Sequence, residues 1–430
     1  MRDFAVSDSP AVQTQLDRLD ALSLPQGRLG LGPVRELLAR LDNPHESLPP
    51  VFHVAGTNGK GSTCAFLRAM LEAAGLRVHA TISPHLVRYN ERIRIAGELV
   101  SDDELTALLA EVLDASEDLG PSFFEVTIAA SFLAFARHPA DACVIEVGLG
   151  GRFDATNVIE RPVACGIAAL GIDHERFLLA PEAGAPDAPI ARIAWEKAGI
   201  AKPGVPLATL CYADVARDAI AAHAEKVGAL LRDEGHWWHH GEGADGGIAY
   251  RDAMGTLNLP PPALPGLHQH ANCALAVAMI RYQDRVDVPL AALQRGAQEA
   301  RWAARLQRMP AGPLIGARDV WLDGGHNRNA GEALARHFGR GRFHLVIGMI
   351  AGKDPAALVV PLADNIASLI AVPVPGHDWL PASDFGPGAR TAPDVAAALA
   401  MLPDDGLPVL IGGSLYLAGE VLRANGTFPD

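Results

Sequence analysis

From residue 51 onward, short apolar and β-branched runs take turns with stretches whose apolar residues recur at helical spacing, and this alternation limits the fold more than any other feature. VFHVAG (51–56) reads as a buried strand, followed by the helical CAFLRAMLEAAG (64–75) and a second strand, RVHAT (77–81). FFEVTIAASFLAFA (123–136) reads as a helix and DACVIEVG (141–148) as a central strand; VACGIAAL (163–170), VPLATL (205–210) and a helix around 267–282 continue the series. Strands separated by helices of 10–15 residues imply right-handed βαβ units, so the expected class is α/β with a mostly parallel sheet. The order breaks near 300–318, where Pro, Gly and charge come together, and then restarts. VWLDGG, a helix at 329–339, FHLVIGM, a helix near 355–364, SLIAVPV, a helix near 393–402, PVLIGG and a helix at 414–423 make a smaller α/β unit. A chain of 430 residues exceeds what one core usually serves. We therefore expect two domains, 1–303 and 304–430. Residues 232–262, rich in Gly and polar side chains, read as either a short β excursion or an exposed loop.

Composition narrows the class of partner. A net charge of −14 argues against nucleic acid or an anionic membrane as the binding surface, since both favour a basic excess. Five scattered cysteines with no C-x-x-C pair fit reduced thiols in the cytoplasm better than a disulfide frame or zinc site. The opening residues show no apolar signal region, and no run approaches the roughly 18 apolar residues of a membrane span.

Three stretches carry potential chemistry. HVAGTNGKGST (53–63) lies between a strand and a helix, where amide groups and the positive helix end suit a phosphate. It departs from the usual G-x-x-x-x-G-K-[ST] loop, because position 54 is Val54 and Gly61 separates Lys60 from Ser62. The alternative is a close-packing glycine turn. IEVGLGGRFDATN (145–157) puts Glu146 at a strand's carboxyl end, where open α/β sheets hold ligands and where a carboxylate suits Mg²⁺; a structural carboxylate is the plainer alternative. GIDHERF (171–177) puts Asp173 and His174 at a third such end.

Taken in order, HVAGTNGKGST, SPHLVRYNERIRI (83–95), SFFEVTIAA (122–130), EVGLGGRFDATN, DH at 173–174, AWEKAGI (194–200), HQHANCALA (268–276), ARLQ (304–307), DGGHN (323–327) and GSLYLAGEV (413–421) resemble the motifs of folylpolyglutamate synthase and dihydrofolate synthase, within the Mur-type amide ligases. The match spans nearly the whole chain, and the spelling GTNGKGS is that superfamily's own phosphate loop. The resemblance implies a P-loop-type ATPase domain followed by a smaller Rossmann-like domain. It further implies that Thr57, Asn58, Gly59 and Lys60 wrap the ATP phosphates, with Ser62 capping the helix or standing near the metal. Asn272, Arg305 and Asp323 would contact the nucleotide from a cleft where the domains meet, with His326 beside them. Ser83, Glu146 and His174 match the family's magnesium ligands, and two Mg²⁺ ions are expected. Lys197 matches a lysine carried as a carbamate; on residue type alone it reads as a solvated helix lysine. Ser122, Phe123, Phe124 and Glu125, with Phe153, match a pterin-binding wall, although the two phenylalanines alone read as core. Residues 16–44 resemble the family's opening region.

The implied reaction is ATP-dependent joining of L-glutamate to dihydropteroate, and to reduced folates, through an acyl phosphate, with Lys60, Lys197 and His174 as the catalytic set. We expect a monomer that uses both acceptors. The alternatives are folylpolyglutamate synthase activity only, another Mur-type ligase, or a nucleotide-gated switch that makes no amide. Three departures from the family pattern stand out: WAARLQ lacks a Pro-Gly before the arginine, DGGHNRN lacks the usual Ala and Pro, and FLLAPEAGAPDAPI lengthens the connection from His174 to Lys197.

Overall fold

The computed structural model of the protein describes residues 6–22 and 30–429. Residues 1–5 and 23–29, and with the latter part of the family-like stretch 16–44, lie outside the described residues. The strands in chain order are β1 (Val51–Ala55), β2 (Val78–Thr81), β3 (Ile93–Ile95), β4 (Glu98–Leu99), β5 (Ala142–Glu146), β6 (Ala164–Ile167), β7 (Pro206–Thr209) and β8 (Leu230–Asp233). There follow β9 (Trp238–Glu242), β10 (Ile248–Asp252), β11 (Gly255–Leu259), β12 (Gln307–Arg308), β13 (Val320–Asp323), β14 (Phe343–Ile347), β15 (Ile366–Ala371), β16 (Arg390–Thr391) and β17 (Val409–Gly412).

These strands belong to two compact units. Among the described residues the first takes those up to Pro84, Arg88–Ala263 and His270–Arg301; the second takes His85–Val87, Leu264–Gln269 and those from Trp302 on. The first unit's main sheet runs β4-β3-β2-β5-β1-β6-β7-β8. It is parallel from β2 to β8, and β3 and β4 form an antiparallel edge. Parallel strands covered on both faces are mostly apolar, and β1, β2, β5, β6 and β7 are buried at every residue. The Phe123–Arg137 helix is correspondingly buried from Val126 to Phe135. Residues 232–262 resolve as a β excursion, the antiparallel sheet β11-β10-β9, with Trp238 stacked on Tyr250 at 5.7 Å in its small core. The second unit's sheet runs β12-β13-β17-β14-β15-β16, parallel except for the β12–β13 pair. Among the described residues no helix is long and apolar enough to cross a membrane.

One feature of the larger sheet decides where a ligand can sit. Strand β1 lies between β5 and β6; the chain leaves β1 toward β2 on one side and leaves β6 toward β7 on the other, which opens a crevice beyond the carboxyl ends. Ala55 pairs with Ile167, Val54 with Glu146 and Thr81 with Ile145. The segments leaving β1, β2, β5 and β6 therefore start from one rim. They carry Gly56–Lys60, Ser83, Glu146 and its glycines, and Asp173–His174.

Candidate active site

The turn after β1 leads into a helix, Lys60–Ala73, whose N-cap is Gly59 with no side-chain cap. Ser62 therefore does not cap this helix. It is buried, and its hydroxyl has no hydrogen-bond partner among the described residues. The amides of Thr57 and Asn58 both donate to the Ala169 carbonyl, at 2.8 and 3.1 Å, and the Thr57 hydroxyl donates to Gly171 O at 2.9 Å. Those two residues fasten the loop to the segment after β6. The amides of the first helical turn, Lys60, Gly61 and Ser62, have no acceptor within the helix itself.

Two lysines converge on one oxygen. Lys60 Nζ donates to the Gly56 carbonyl at 3.1 Å and Lys197 Nζ donates to the same carbonyl at 2.9 Å. Lys197 is only 4% exposed, so the expectation of a solvated helix lysine is wrong for this residue. The Pro189–Ala198 helix buries Ala191–Ala194 and Glu196–Ala198, so its last turn points inward. Burial first, and the charge of Lys60 second, bring the Lys197 ammonium down to about 7. When Lys197 is protonated, two cationic nitrogens share one carbonyl, a positive surplus that a phosphate or carboxylate would relieve.

This depression makes stability depend on pH. The unfolded lysine holds its proton up to 10.5 whereas the folded one sheds it from about 7, so unfolding takes up a proton between those values. Stability contributed by Lys197 is complete above the unfolded value and is lost as pH falls toward 7. We predict that the difference in unfolding free energy between wild type and Lys197→Met, in carbon dioxide-free buffer, rises from pH 7.5 to 9.5 by up to about 1.4 kcal/mol per unit. Denaturant melts at three pH values read it; a flat difference contradicts the burial.

Gly59 has φ +82°, and a Cβ there would lie 2.3 Å from Asn272 Oδ1. Asn272, itself buried, thus packs against the loop. Gly59→Ala is predicted to lower stability by about 1–2 kcal/mol from the left-handed backbone alone and to displace Asn272. A differential scanning calorimetry midpoint equal to that of wild type would contradict this.

Glu146 ends β5, is 4% exposed, and accepts the Ser83 amide at 3.1 Å. Two of the three expected metal ligands are thereby side by side. His174 has left-handed φ (53°) and donates its amide to Asp173 Oδ1 at 2.8 Å. Among the described residues no group of three or more His, Cys, Asp or Glu side chains is arranged to hold a metal. A buried carboxylate beside Ser83 instead suits a hard cation that completes its shell with phosphate oxygens and water.

The 122–125 wall is more tightly engaged than its residue types imply. Ser122 and Glu125 form a capping box: Ser122 donates its amide (2.7 Å) and hydroxyl (2.8 Å) to Glu125 Oε2, and its Oγ accepts the Glu125 amide at 3.3 Å. Phe123 meets Tyr89 edge-on at 6.0 Å. Phe124 lies where a Cβ on Gly148 would fall 2.4 Å from its ring, so a larger residue at 148 would displace that ring. Phe153 lies 4.2 Å beneath the Arg152 guanidinium.

Within the second unit, Asp323 ends β13 and its carboxylate accepts the Leu306 amide at 2.8 Å and the Gly325 amide at 2.7 Å. It joins the 304–306 turn, where Ala304 and Leu306 both have positive φ, to the 323–325 turn. Arg305 donates to Ala304 O at 3.1 Å, and His326 Nδ1 lies 3.2 Å from Gly324 O. The unusual backbone of ARLQ is held by this carboxylate together with the Ala304 amide on Gln307 Oε1 (2.9 Å) and the Gly324 amide on Ala304 O (2.9 Å).

Residue reading missed Asp154, which is buried and accepts from the Leu149 amide (2.7 Å) and the Thr156 hydroxyl (2.6 Å). It also missed the ion cluster of Arg152, Glu182, Arg192 and Glu196. The only signal for either was that Asp154, Arg152 and Glu196 fall inside quoted motifs.

A phosphate loop at the switch point of a parallel sheet, beside a buried carboxylate, defines the class as a nucleotide-binding α/β protein. No protein-family model matches the chain. It is 33% identical over 446 residues to the dihydrofolate synthase/folylpolyglutamate synthase of Bacillus subtilis, covering 94% of this chain and 98% of that one. It is 36% identical over 369 residues to the Escherichia coli protein of the same name, covering 85% and 80%. Among solved structures, E. coli FolC with DHPP and ADP superposes with TM-score 0.84 at 31% identity, covering 97% of each chain. The bifunctional Yersinia pestis enzyme with AMPPNP and a Mn ion gives 0.83 at 30%, covering 97% and 98%. The chain belongs to the dihydrofolate synthase/folylpolyglutamate synthase family.

Proposed function

We propose that this protein joins L-glutamate to dihydropteroate and to reduced folates at the expense of ATP. The observation that carries the reading is the pair Lys60 and Lys197 on the Gly56 carbonyl, on the same sheet rim as Glu146 and Ser83. A carboxylate is a poor acylating agent because oxide would have to leave. In the proposed reaction a carboxylate oxygen of the pteroyl or folyl substrate attacks the γ-phosphorus, and ADP departs with the electrons of the broken P–O bond. The amine of L-glutamate then attacks the acyl carbon, inorganic phosphate leaves, and the amine's proton is lost as the amide forms. Lys60 neutralises charge on the transferring phosphoryl group and the first-turn amides orient it. Thr57, Asn58 and Gly59 shape the loop, and Asn272, Arg305 and Asp323 contribute to nucleotide binding.

Ser83, Glu146 and His174 would hold one of two Mg²⁺ ions, which when bound supplies charge neutralisation to phosphate oxygens. Neutral amine is the form that adds carbon dioxide, so the lowered Lys197 ammonium favours a carbamate there. That carbamate would turn the positive surplus at Gly56 into a balanced site and offer oxygens to the second ion. Phe123, Phe124 and Phe153, with Ser122 and Glu125, would flank the pterin. We take residues 1–303 and 304–430 as the functional division. We take the enzyme to be a cytoplasmic monomer, in keeping with five free cysteines.

The test is ADP release measured with and without acceptor. Dihydropteroate plus glutamate, and tetrahydrofolate plus glutamate, are each expected to raise ADP release at least about tenfold, with products one glutamyl unit heavier by mass spectrometry. Slow hydrolysis indifferent to both additions would identify a nucleotide switch instead.

A further inference from the structure

The lengthened connection between His174 and Lys197 takes no part in the proposed chemistry, yet its middle is tied into the fold by charge. Glu182 lies within it. Arg152 donates Nη1 to Glu182 Oε1 at 3.0 Å and Nη2 to Oε2 at 2.6 Å, a two-pronged pair, and Arg192 Nη2 adds a third bond to Oε2 at 3.1 Å. Arg192 Nη2 also donates to the Ala180 carbonyl at 3.0 Å. On the other side, Glu196 accepts from Arg152 Nη2 at 2.8 Å and Nε at 3.3 Å, with Arg192 Nε 3.8 Å away. The four side chains are 7–19% exposed. The Trp195 ring lies 4.0 Å from the Arg152 guanidinium and 5.0 Å from that of Arg192.

Two positive and two negative charges thus form a largely buried, neutral group. Removing one member of such a group leaves an uncompensated charge, which costs far more than a surface pair. The members come from three segments. Arg152 and Phe153 belong to the glycine loop after β5; Arg192, Trp195, Glu196 and Lys197 share one helix; Glu182 alone comes from the extra connection. Without Glu182, two guanidiniums would compete for the single carboxylate of Glu196 and repel one another. The loop and the helix also meet through the Arg152 amide on Glu196 O at 2.9 Å, so their spacing follows the cluster.

We propose that Glu182 is a positioning residue that this chain's own extra segment supplies. It clamps Arg152 and Arg192 over Trp195, and so fixes both the loop bearing Phe153 and the helix turn that delivers Lys197 to Gly56. Its consequence for catalysis rests on the reading that Phe153 and Lys197 serve the site; the clamp itself does not.

The experiment has two arms on full-length Glu182→Gln, which keeps the side chain's size and removes its charge. In the first arm, amine-selective labelling is followed by peptide mass spectrometry at pH 8 in carbon dioxide-free buffer. Lys197 is expected to react at least about tenfold faster than in wild type, with Lys60 changed by less than about twofold. An unchanged Lys197 rate, or equal acceleration of both lysines, overturns the proposal. Should the glutamine variant fail to fold, Glu182→Asp withdraws the carboxylate by one methylene and is expected to speed Lys197 labelling about threefold; no change overturns the proposal equally. In the second arm, KM for dihydropteroate is expected to rise at least about tenfold while KM for ATP moves less than about twofold. A parallel rise in both overturns it, because general loosening would not separate the two substrates. The labelling arm needs no turnover. If wild type made no folate, the functional reading would fail while the clamp was still decided.

Discussion

Lys60→Ala is expected to lower turnover at least about a hundredfold, or about 2.7 kcal/mol of barrier, in an enzyme that still folds. The side chain begins a helix whose other early residues supply the packing, and its amine donates a hydrogen bond to the Gly56 carbonyl. Its loss should therefore cost little stability. What disappears is the positive charge set to meet a γ-phosphoryl group as negative charge builds on it. A second effect follows from the shared carbonyl. Lys60 helps depress the Lys197 ammonium, so in the alanine variant Lys197 should titrate at higher pH than in wild type. The pH dependence of Lys197 amine labelling reads that shift. Steady-state ADP release reads the first effect, and near-normal turnover would remove Lys60 from the mechanism.

Glu146→Ala should be equally damaging, by at least about a hundredfold in turnover, with Glu146→Gln close behind. The glutamine can still accept the Ser83 amide, so the local backbone has no reason to move. Only the negative charge is gone. If that charge serves a divalent ion, both variants should bind Mn²⁺ at least about tenfold more weakly in the presence of a non-hydrolysable ATP analogue, as read by electron paramagnetic resonance. Normal Mn²⁺ affinity with lost turnover would assign Glu146 a different task.

How much of this could be read from residues alone follows from the range of the interactions. The parallel sheet was legible because its strands are buried on both faces and spell largely apolar runs, broken in VFHVA only by His53 and in ACVIE only by the terminal Glu146. Glu146 stood out because a carboxylate ending such a run has few structural reasons to be there. The antiparallel edge β3–β4 escaped notice, since strands of three and two residues are too short for periodicity to register. Lys197 was legible only through the motif around it. Its burial depends on the Gly56 carbonyl 141 positions away, which no local pattern encodes. The same holds for Asn272 against Gly59 and for Arg152 with Glu182. The anchoring of the Thr57 and Asn58 amides to Ala169 likewise needed the third dimension, since that carbonyl lies more than a hundred positions along the chain.

In the proposed mechanism the turn after β1 grips a nucleotide's terminal phosphate while the carboxylate ending β5 faces the accompanying ion. A crystal structure with a non-hydrolysable ATP analogue and Mg²⁺ tests it most directly. The account predicts the γ-phosphate within hydrogen-bond reach of the amides of residues 60–62 and of Lys60 Nζ, with an ion on Glu146. A triphosphate bound away from residues 56–62, or an ion that leaves Glu146 uncoordinated, would contradict it.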